Sequence, residues 1–519
     1  MRLFSRTGRR GFRIPGASGA RAAGCLLLLV LATLSGLGCA PEPRTVARDR
    51  PLRIALHGAP SSLDPHLQSE VPAQIVLGHI YDSLVTFDAR LRPVPSLAES
   101  WENPDALTWR FHLRAGPRFH SGRPIEVADV VYTLERARRH ARSRQAGALV
   151  AVSSVRRVGE RSIELHTALP YPILLNKLAT LAIVPAGAPD EIVAPEGTGP
   201  YRMVERTADS ILLEAVPDAW SLGENPRRYP RQVTFFFVSS GEERRRGLVE
   251  GRFDLIDDLS TSLSAALANE PAVRVESLSS LAVTYLQLDI AKSPWNDPRV
   301  RRALDLLLDR DQLVAEELAG RGQAVGQLVS SNVFGFHPGL LPTRRDVAAA
   351  RALLTEAGYP DGFAFEIEYR EGHDIGTITR QLAEGGLRVT GRSRPWAEMY
   401  RRLQGGEIAV YLGTWVCTSG DASDLLDRKL HSPDPDRGWG DANWSHYANP
   451  LLDRMIEESQ QLTNTLERGA LLKKAMALAA ADLAYVPLYS RHEVYGVRQE
   501  LLWAPRRDGR IFAFEMSWR

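Results

Sequence analysis

Between Leu97 and Arg136 the hydrophobic period switches from two to nearly four, which restricts this stretch to a strand followed by a helix. Thr108 to Arg114 alternates, with Trp109, Phe111 and Leu113 on one face and Thr108, Arg110, His112 and Arg114 on the other. Alternation of aromatic and branched residues predicts a half-buried strand. Ala115-Gly116-Pro117 turns the chain, Arg118-Phe119-His120 makes a short return, and Ser121 to Pro124 turns it again. From about Val127 the apolar residues Val127, Val130, Val131, Leu134 and Ala137 share one helical face, with Glu135, Arg138 and Arg139 on the solvated side. The result is a compact α/β unit that carries no catalytic group.

The same residues carry several blocks in a fixed order: L-A-E-S-W from Leu97, W-x-F-x-L-R-x-G from Trp109, F-H-S-G-x-P from Phe119 and A-D-V-V-Y-T-L from Ala128. Together they resemble the signature of the peptide/nickel class (family 5) of bacterial extracellular solute-binding proteins, the capture subunits of ABC importers. The resemblance implies an α/β chain with a two-lobed, type II periplasmic-binding-protein-like fold and a subdomain inserted in the first lobe. The N-terminal residues themselves predict a signal peptide at 1–38 and a polar, Pro-containing tether at 39–51. Lobe I would comprise 52–289 and 485–519, with 76–194 as the inserted subdomain, and lobe II 290–484.

Length and charge agree with that reading. A chain of 519 residues is too long for one ordinary core. With 44% hydrophobic and 24% charged residues it has the composition of a soluble globular protein. The formal charge of +2 is set by the N-terminus, where residues 1–38 hold six Arg and no acid. Removing those six from 64 basic residues leaves 58 against 62 acidic ones, a balance of −4. No basic field remains to recruit nucleic acid. The Arg-rich start, the apolar run around Cys25 to Leu31 and the small residues before Cys39 have the anatomy of a secretory signal. Gly38-Cys39 resembles the cleavage site of bacterial lipoproteins, with Gly36 where Leu is usual, and this implies a lipid on Cys39. Arg9-Arg10-Gly11-Phe12 also resembles a twin-arginine signal, with Sec export the default. The expected location is therefore periplasmic and membrane-anchored. Only Cys417 lies well inside the mature chain, which excludes a disulfide between two cysteines of the folded body.

Further along, Leu52 to Leu56 predicts a strand, followed by an L-D-P-H loop that in the family approaches the ligand cleft. Ala73 to Leu84 predicts a helix, Ser162 to His166 a strand and Ile173 to Ala182 another helix. The two glycines of Gly197-Thr-Gly-Pro-Tyr201 suit a tight, close-packed turn. Val233 to Val238 is a continuous apolar run suited to a strand buried on both faces. A helix follows, with Arg244, Arg245 and Arg246 read as a solvated face, and then a strand at Glu250 to Ile256. Strand–helix–strand order implies parallel pairing. Val283 to Ile290 predicts the strand that crosses between lobes. Asp297-Pro298 and Asn449-Pro450 open helices. Val347 to Ala357 predicts a helix ended by Gly358, and Leu466 to Leu483 another. Glu407 to Trp415 predicts a strand that leads into Val416 to Asp424, the expected ligand loop, and Tyr485 to Tyr489 a return to the first lobe.

No constellation for catalysis is present: the sequence lacks G-x-S-x-G, the P-loop, H-E-x-x-H and C-x-x-C. The spacing of His431, Asp434, Asp436 and His446 matches no metal motif. We therefore expect no enzyme activity and no cofactor; a lipoprotein hydrolase or a ligand-sensing module are the rival readings. Trp101 and Trp109 are assigned to the core. The expected ligand-binding residues are Trp415, Thr418, Asp421 and Tyr285. The resemblance places Thr418 where dipeptide- and oligopeptide-binding relatives carry an Asp that pairs with the peptide ammonium, with Asp421 or Asp424 able to take over in a shifted register or merely to cap the next turn. The expected partners are a small solute, peptide-like or other, the ABC permease subunits and the membrane, with the protein itself a monomer. Free-amine peptides should bind weakly, because Thr offers a hydroxyl but no charge.

Overall fold

The computed structural model describes residues 50–68, 70–222, 229–370 and 373–519. The expected signal peptide, Cys39 and most of the expected tether lie outside the described residues. At the start of the described chain the Arg50 guanidinium bonds Asp254 and Glu500 at 2.9 Å each and lies 3.9 Å over the Trp518 ring.

The chain is mixed α/β, as its alternating periods predict, and is organised on one eleven-stranded sheet. Leu52–Leu56 sits between Gln232–Phe237 and Leu255–Ile256 and is parallel to both. The helix Gly241–Val249 links those two flanking strands, which run parallel as expected but do not pair with each other, because the N-terminal strand lies between them. Gln232–Phe237 alternates in burial and is not covered on both faces. Arg244 departs from its predicted solvated place. It is 2% exposed and donates to the carbonyls of Val238 and Ser239, in the turn before its helix, and of Asp258, just past Leu255–Ile256.

Two long antiparallel strands, Val273–Leu288 and Tyr485–Arg498, carry the sheet from one half to the other. The first begins ten residues earlier than its alternating segment suggests, and Ser279 and Ser280 stand where a turn would be read. Val273 to Ser279 pairs with Arg498 to His492; the ladder then breaks and resumes with Val283 opposite Ser490. Three residues, Ser280 to Ala282, therefore face Arg491 alone, a bulge in the first strand. Beyond it Val410–Val416 pairs along Ala282 to Leu288, followed by Ala364–Arg370 and Arg388–Arg394.

A separate antiparallel sheet holds Ala98–Asp105, Thr108–Leu113, Ser162–Thr167 and Val152–Arg157, in that spatial order. Trp109, Phe111, Ile163 and Leu165 pack there against Val130 and Leu134 of the helix Val127–Arg139, while Trp101 is half-buried at the edge. That helix starts where the period changes because Glu126 and Asp129 form a reciprocal capping box. The helix predicted over Ile173 to Ala182 contracts to Leu174–Leu178.

The turn at Gly197 and Gly199 is closer-packed than sequence alone requires. A Cβ on Gly197 would stand 1.9 Å from the Ile80 carbonyl oxygen. Gly197→Ala should therefore push the turn off the end of the helix Val71–Ile80. We expect a loss of about 1–3 kcal/mol, read as a lower denaturation midpoint with an unchanged denaturant slope; a wild-type midpoint would refute the close approach.

Candidate functional site

The bulge, the end of the helix Val71–Ile80, the segment after Leu174–Leu178 and the C-terminal loop converge on a cavity of about 550 Å³. That volume suits a small solute. Ser280, Leu281 and Ala282 form part of its wall, with Val416 and Thr418 from the expected ligand loop beside them. Leu77, Gly78, Ala179 and Ala182 supply the apolar side. The L-D-P-H loop does reach it, through His57 and Pro65.

The acidic residues that line the cavity are largely engaged. His57 donates its backbone N–H to Asp257 at 2.8 Å, and its Nδ1 lies 2.7 Å from the other carboxylate oxygen. That hydrogen bond raises the His57 pKa above the usual imidazole range, against the opposing effect of burial. The buried Arg244 guanidinium lies 3.8 Å from both Asp257 and Asp258. Burial raises Glu493 above the ordinary carboxylate range. Asp82 is pushed up to about 6 by burial, although Thr198 and the Trp220 indole both donate to it.

Of the four residues singled out from sequence, only Thr418 lines this cavity. Asp421 points away from it. Arg468, on the helix Thr465–Asp482, grips its carboxylate at 2.5 and 3.0 Å, and the Ser423 N–H donates at 3.0 Å. Asp424 is likewise taken, by an ion pair with Lys177. Tyr285 is 1% exposed and meets Tyr485 edge-on at 5.4 Å, so it belongs to the core. Trp415 shares that side of the sheet, where the Lys429 ammonium covers both rings, at 5.3 Å from Tyr285 and 5.6 Å from Trp415. Strand alternation explains the displacement: once Val410–Val416 pairs with Val273–Leu288, Trp415 and Tyr285 both face the turn that carries Lys429. Cys417 is fully buried, donates to the Asp421 carbonyl, and has its thiol pKa raised by burial.

The tempting histidines and aspartates are tied elsewhere. His446 bonds Asp289 at 2.8 Å, His431 faces Glu457, and Asp434 accepts from Arg437. Among the described residues no group of three or more His, Cys, Asp or Glu could hold a metal ion. The cavity residues that sequence reading missed are Asp257, Glu493, Arg507 and Arg510. Separated by up to 253 positions, they share no motif, and none of them repeats a local pattern that would single it out.

Comparison with known proteins places this geometry. Residues 92–436 match the family described as bacterial extracellular solute-binding proteins, family 5 Middle. The chain is 25% identical to the periplasmic oligopeptide-binding protein OppA of Escherichia coli K12, over 90% of this chain and 92% of that one. It is also 25% identical to the glutathione-binding protein GsiB of Pectobacterium atrosepticum, over 89% of this chain and 93% of that one. Among solved structures it resembles HbpA2 of Haemophilus parasuis, with a TM-score of 0.80 at 22% identity, covering 91% of this chain and 100% of that one. With the signature stretch inside the matched region and the two-domain type II fold around the cavity, this chain belongs to the family 5 bacterial extracellular solute-binding proteins, the substrate-binding components of ABC importers.

Proposed function

We propose that this protein captures a small polar solute, peptide-like or other, outside the cytoplasmic membrane and delivers it to an ABC permease. The observation that carries this reading is a cavity walled from both sides of the bulge shared by the two crossing strands. Residues 52–289 with 485–519 form one lobe, carrying 76–194 as an inserted part, and 290–484 form the other. Solute that touches both lobes favours the closed state by its differential affinity, and bending at Ser280 to Ala282 brings the lobes together. Saturating solute is expected to reduce the radius of gyration in solution scattering; an unchanged profile with proven binding would overturn hinge closure. The solute is to be obtained by mass spectrometry of what denatured, gently purified protein releases.

Contacts between the two lobes support the same reading. The Asn176 amide donates to the Ser419 carbonyl at 2.7 Å, Lys177 pairs with Asp424, and Gly420 packs against Leu91. We read these as the latch of the closed form. Asp424→Asn should loosen it and lower affinity for the retained solute by roughly 5–30-fold, the equivalent of about 1–2 kcal/mol for a charge-assisted bond. Titration calorimetry reads this directly, and unchanged affinity would rule out the latch.

Thr418 lines the cavity without a charge, and the carboxylates of Asp421 and Asp424 are both spent on Arg468 and Lys177. This supports weak binding of peptides through a free amine at this loop. Cys39 carries the lipid anchor in this reading, and Cys39→Ser should release the protein from membranes or leave an unprocessed precursor.

A further inference from the structure

The C-terminal loop brings a second kind of charge to the cavity. Arg506, Arg507 and Arg510 lie within five positions and have different fates. Arg506 is 7% exposed and fully used: it donates to the carbonyls of Phe87 and Asp88, to Asp508 and to Glu515. It thereby pins the loop to the body. Arg507 and Arg510 instead line the cavity, and among the described residues neither guanidinium makes a hydrogen bond or an ion pair. Arg144 stands exposed at the cavity wall in the same state.

The acids nearby do not satisfy them. Asp508, the closest in sequence, already bonds Arg506 at 3.0 Å and accepts the Arg510 backbone N–H at 3.2 Å. Asp257 is held by His57 and Arg244, and Asp82 by Thr198 and Trp220. Asp258 is 70% solvent-exposed, and Glu493 belongs to the acidic cluster with Asp257 and Asp258 beside Ser280. Desolvation works against the Arg510 charge, and Asp508 provides the only attraction of note. A half-buried guanidinium with empty donors on a rigid loop is costly for the empty protein and gains most from an oxyanion, which its planar fork can bind through two parallel hydrogen bonds.

The geometry points to a solute that carries an oxyanion, carboxylate or phosphate, docked on Arg510 with Arg507 beside it and Arg144 at the entrance. This deepens the proposed function and rests on the cavity being the solute site. It also gives Thr418 a physical sense, since a solute held by its anion needs no ammonium partner in the ligand loop.

Three probe pools test it by calorimetry on the full mature protein: N-acetylated di- to pentapeptides with free carboxyl termini, the same peptides as C-terminal amides, and those amides carrying one phosphoserine. We expect the free-acid pool, the phosphoserine pool or both to bind at least tenfold more tightly than the plain amides. Whichever anion wins identifies the source. In Arg510→Gln that preference should fall to threefold or less, and Arg510→Lys should retain part of it. Arg507→Gln provides a second variant should Arg510→Gln fail to fold, and should also reduce the preference. Equal response to all pools, including no response to any, overturns the inference, as does a preference that survives both Gln variants. Thr418→Trp, which puts a large ring into the cavity, separates the two levels. If the pools bind alike and Thr418→Trp abolishes binding, the cavity stands and the anion site falls. If Thr418→Trp leaves binding intact, the cavity itself is not the site.

Discussion

Arg468→Met is expected to destabilise the protein by about 3–5 kcal/mol, the usual cost of leaving a buried charge without its partner. Arg468 and Asp421 are each only about 5% exposed, and the guanidinium also donates to the Ser423 hydroxyl at 3.0 Å and the Ser459 carbonyl at 3.2 Å. Removing it strands the Asp421 carboxylate and two further acceptors in a place that water does not reach. The double variant Arg468→Met with Asp421→Asn should recover more than half of the loss, since the remaining amide carries no charge. Urea denaturation of both variants measures this, and a single-variant loss under about 1 kcal/mol would contradict a pair worth several. Thr418 stands three residues before Asp421, so weaker solute binding in Arg468→Met should accompany the loss of stability.

Lys429→Met should do the opposite and stabilise the protein near neutral pH. Lys429 is 2% exposed, its ammonium has no hydrogen-bond partner among the described residues, and burial pushes its pKa down to about 7. Four rings surround it: Trp444 at 4.8 Å, Tyr285 at 5.3 Å, Tyr485 at 5.4 Å and Trp415 at 5.6 Å. Ring faces attract the cation, by up to about 2 kcal/mol when desolvated, and offset part of the burial cost.

The folded pKa lies below the unfolded one, so the cost is full below pH 7, where both states hold the proton. It fades as pH rises toward 10.5, where the unfolded chain also releases it. The advantage of Lys429→Met should therefore be about 2–3 kcal/mol at pH 6.5, after discounting for the rings, and should shrink steadily by pH 9.5. Asp427, pushed up to about 8 by burial, titrates in the same window in both proteins and cancels in the difference. A destabilised Lys429→Met, or an advantage that does not change with pH, would show that the rings outweigh burial.

Local order was legible in the residues themselves. The change of period at Val127, the Asp297 cap that accepts from the Arg299 N–H and the Asn449 cap that accepts from Leu451 and Leu452 all depend on neighbours a few positions away. So does the parallel arrangement of Gln232–Phe237 and Leu255–Ile256, which follows from the short helix between them. Short-range periodicity and capping chemistry set these features before any tertiary contact forms.

The site was different. Asp421 reads as a loop carboxylate available to a ligand until Arg468, 47 positions later, takes it. Lys177 reaches Asp424 across 247 positions, and Arg244 reads as a solvated helix face until the carbonyls of the preceding turn close over it. Tyr285 and Trp415 were legible as aromatic residues on strands, but which side of the sheet met the cavity depended on the register between those strands. Hydrophobic period reports which face of an element is buried. It does not report what lies opposite, and the partner of a charge is decided by pairing between distant segments, which only the assembled tertiary structure contains.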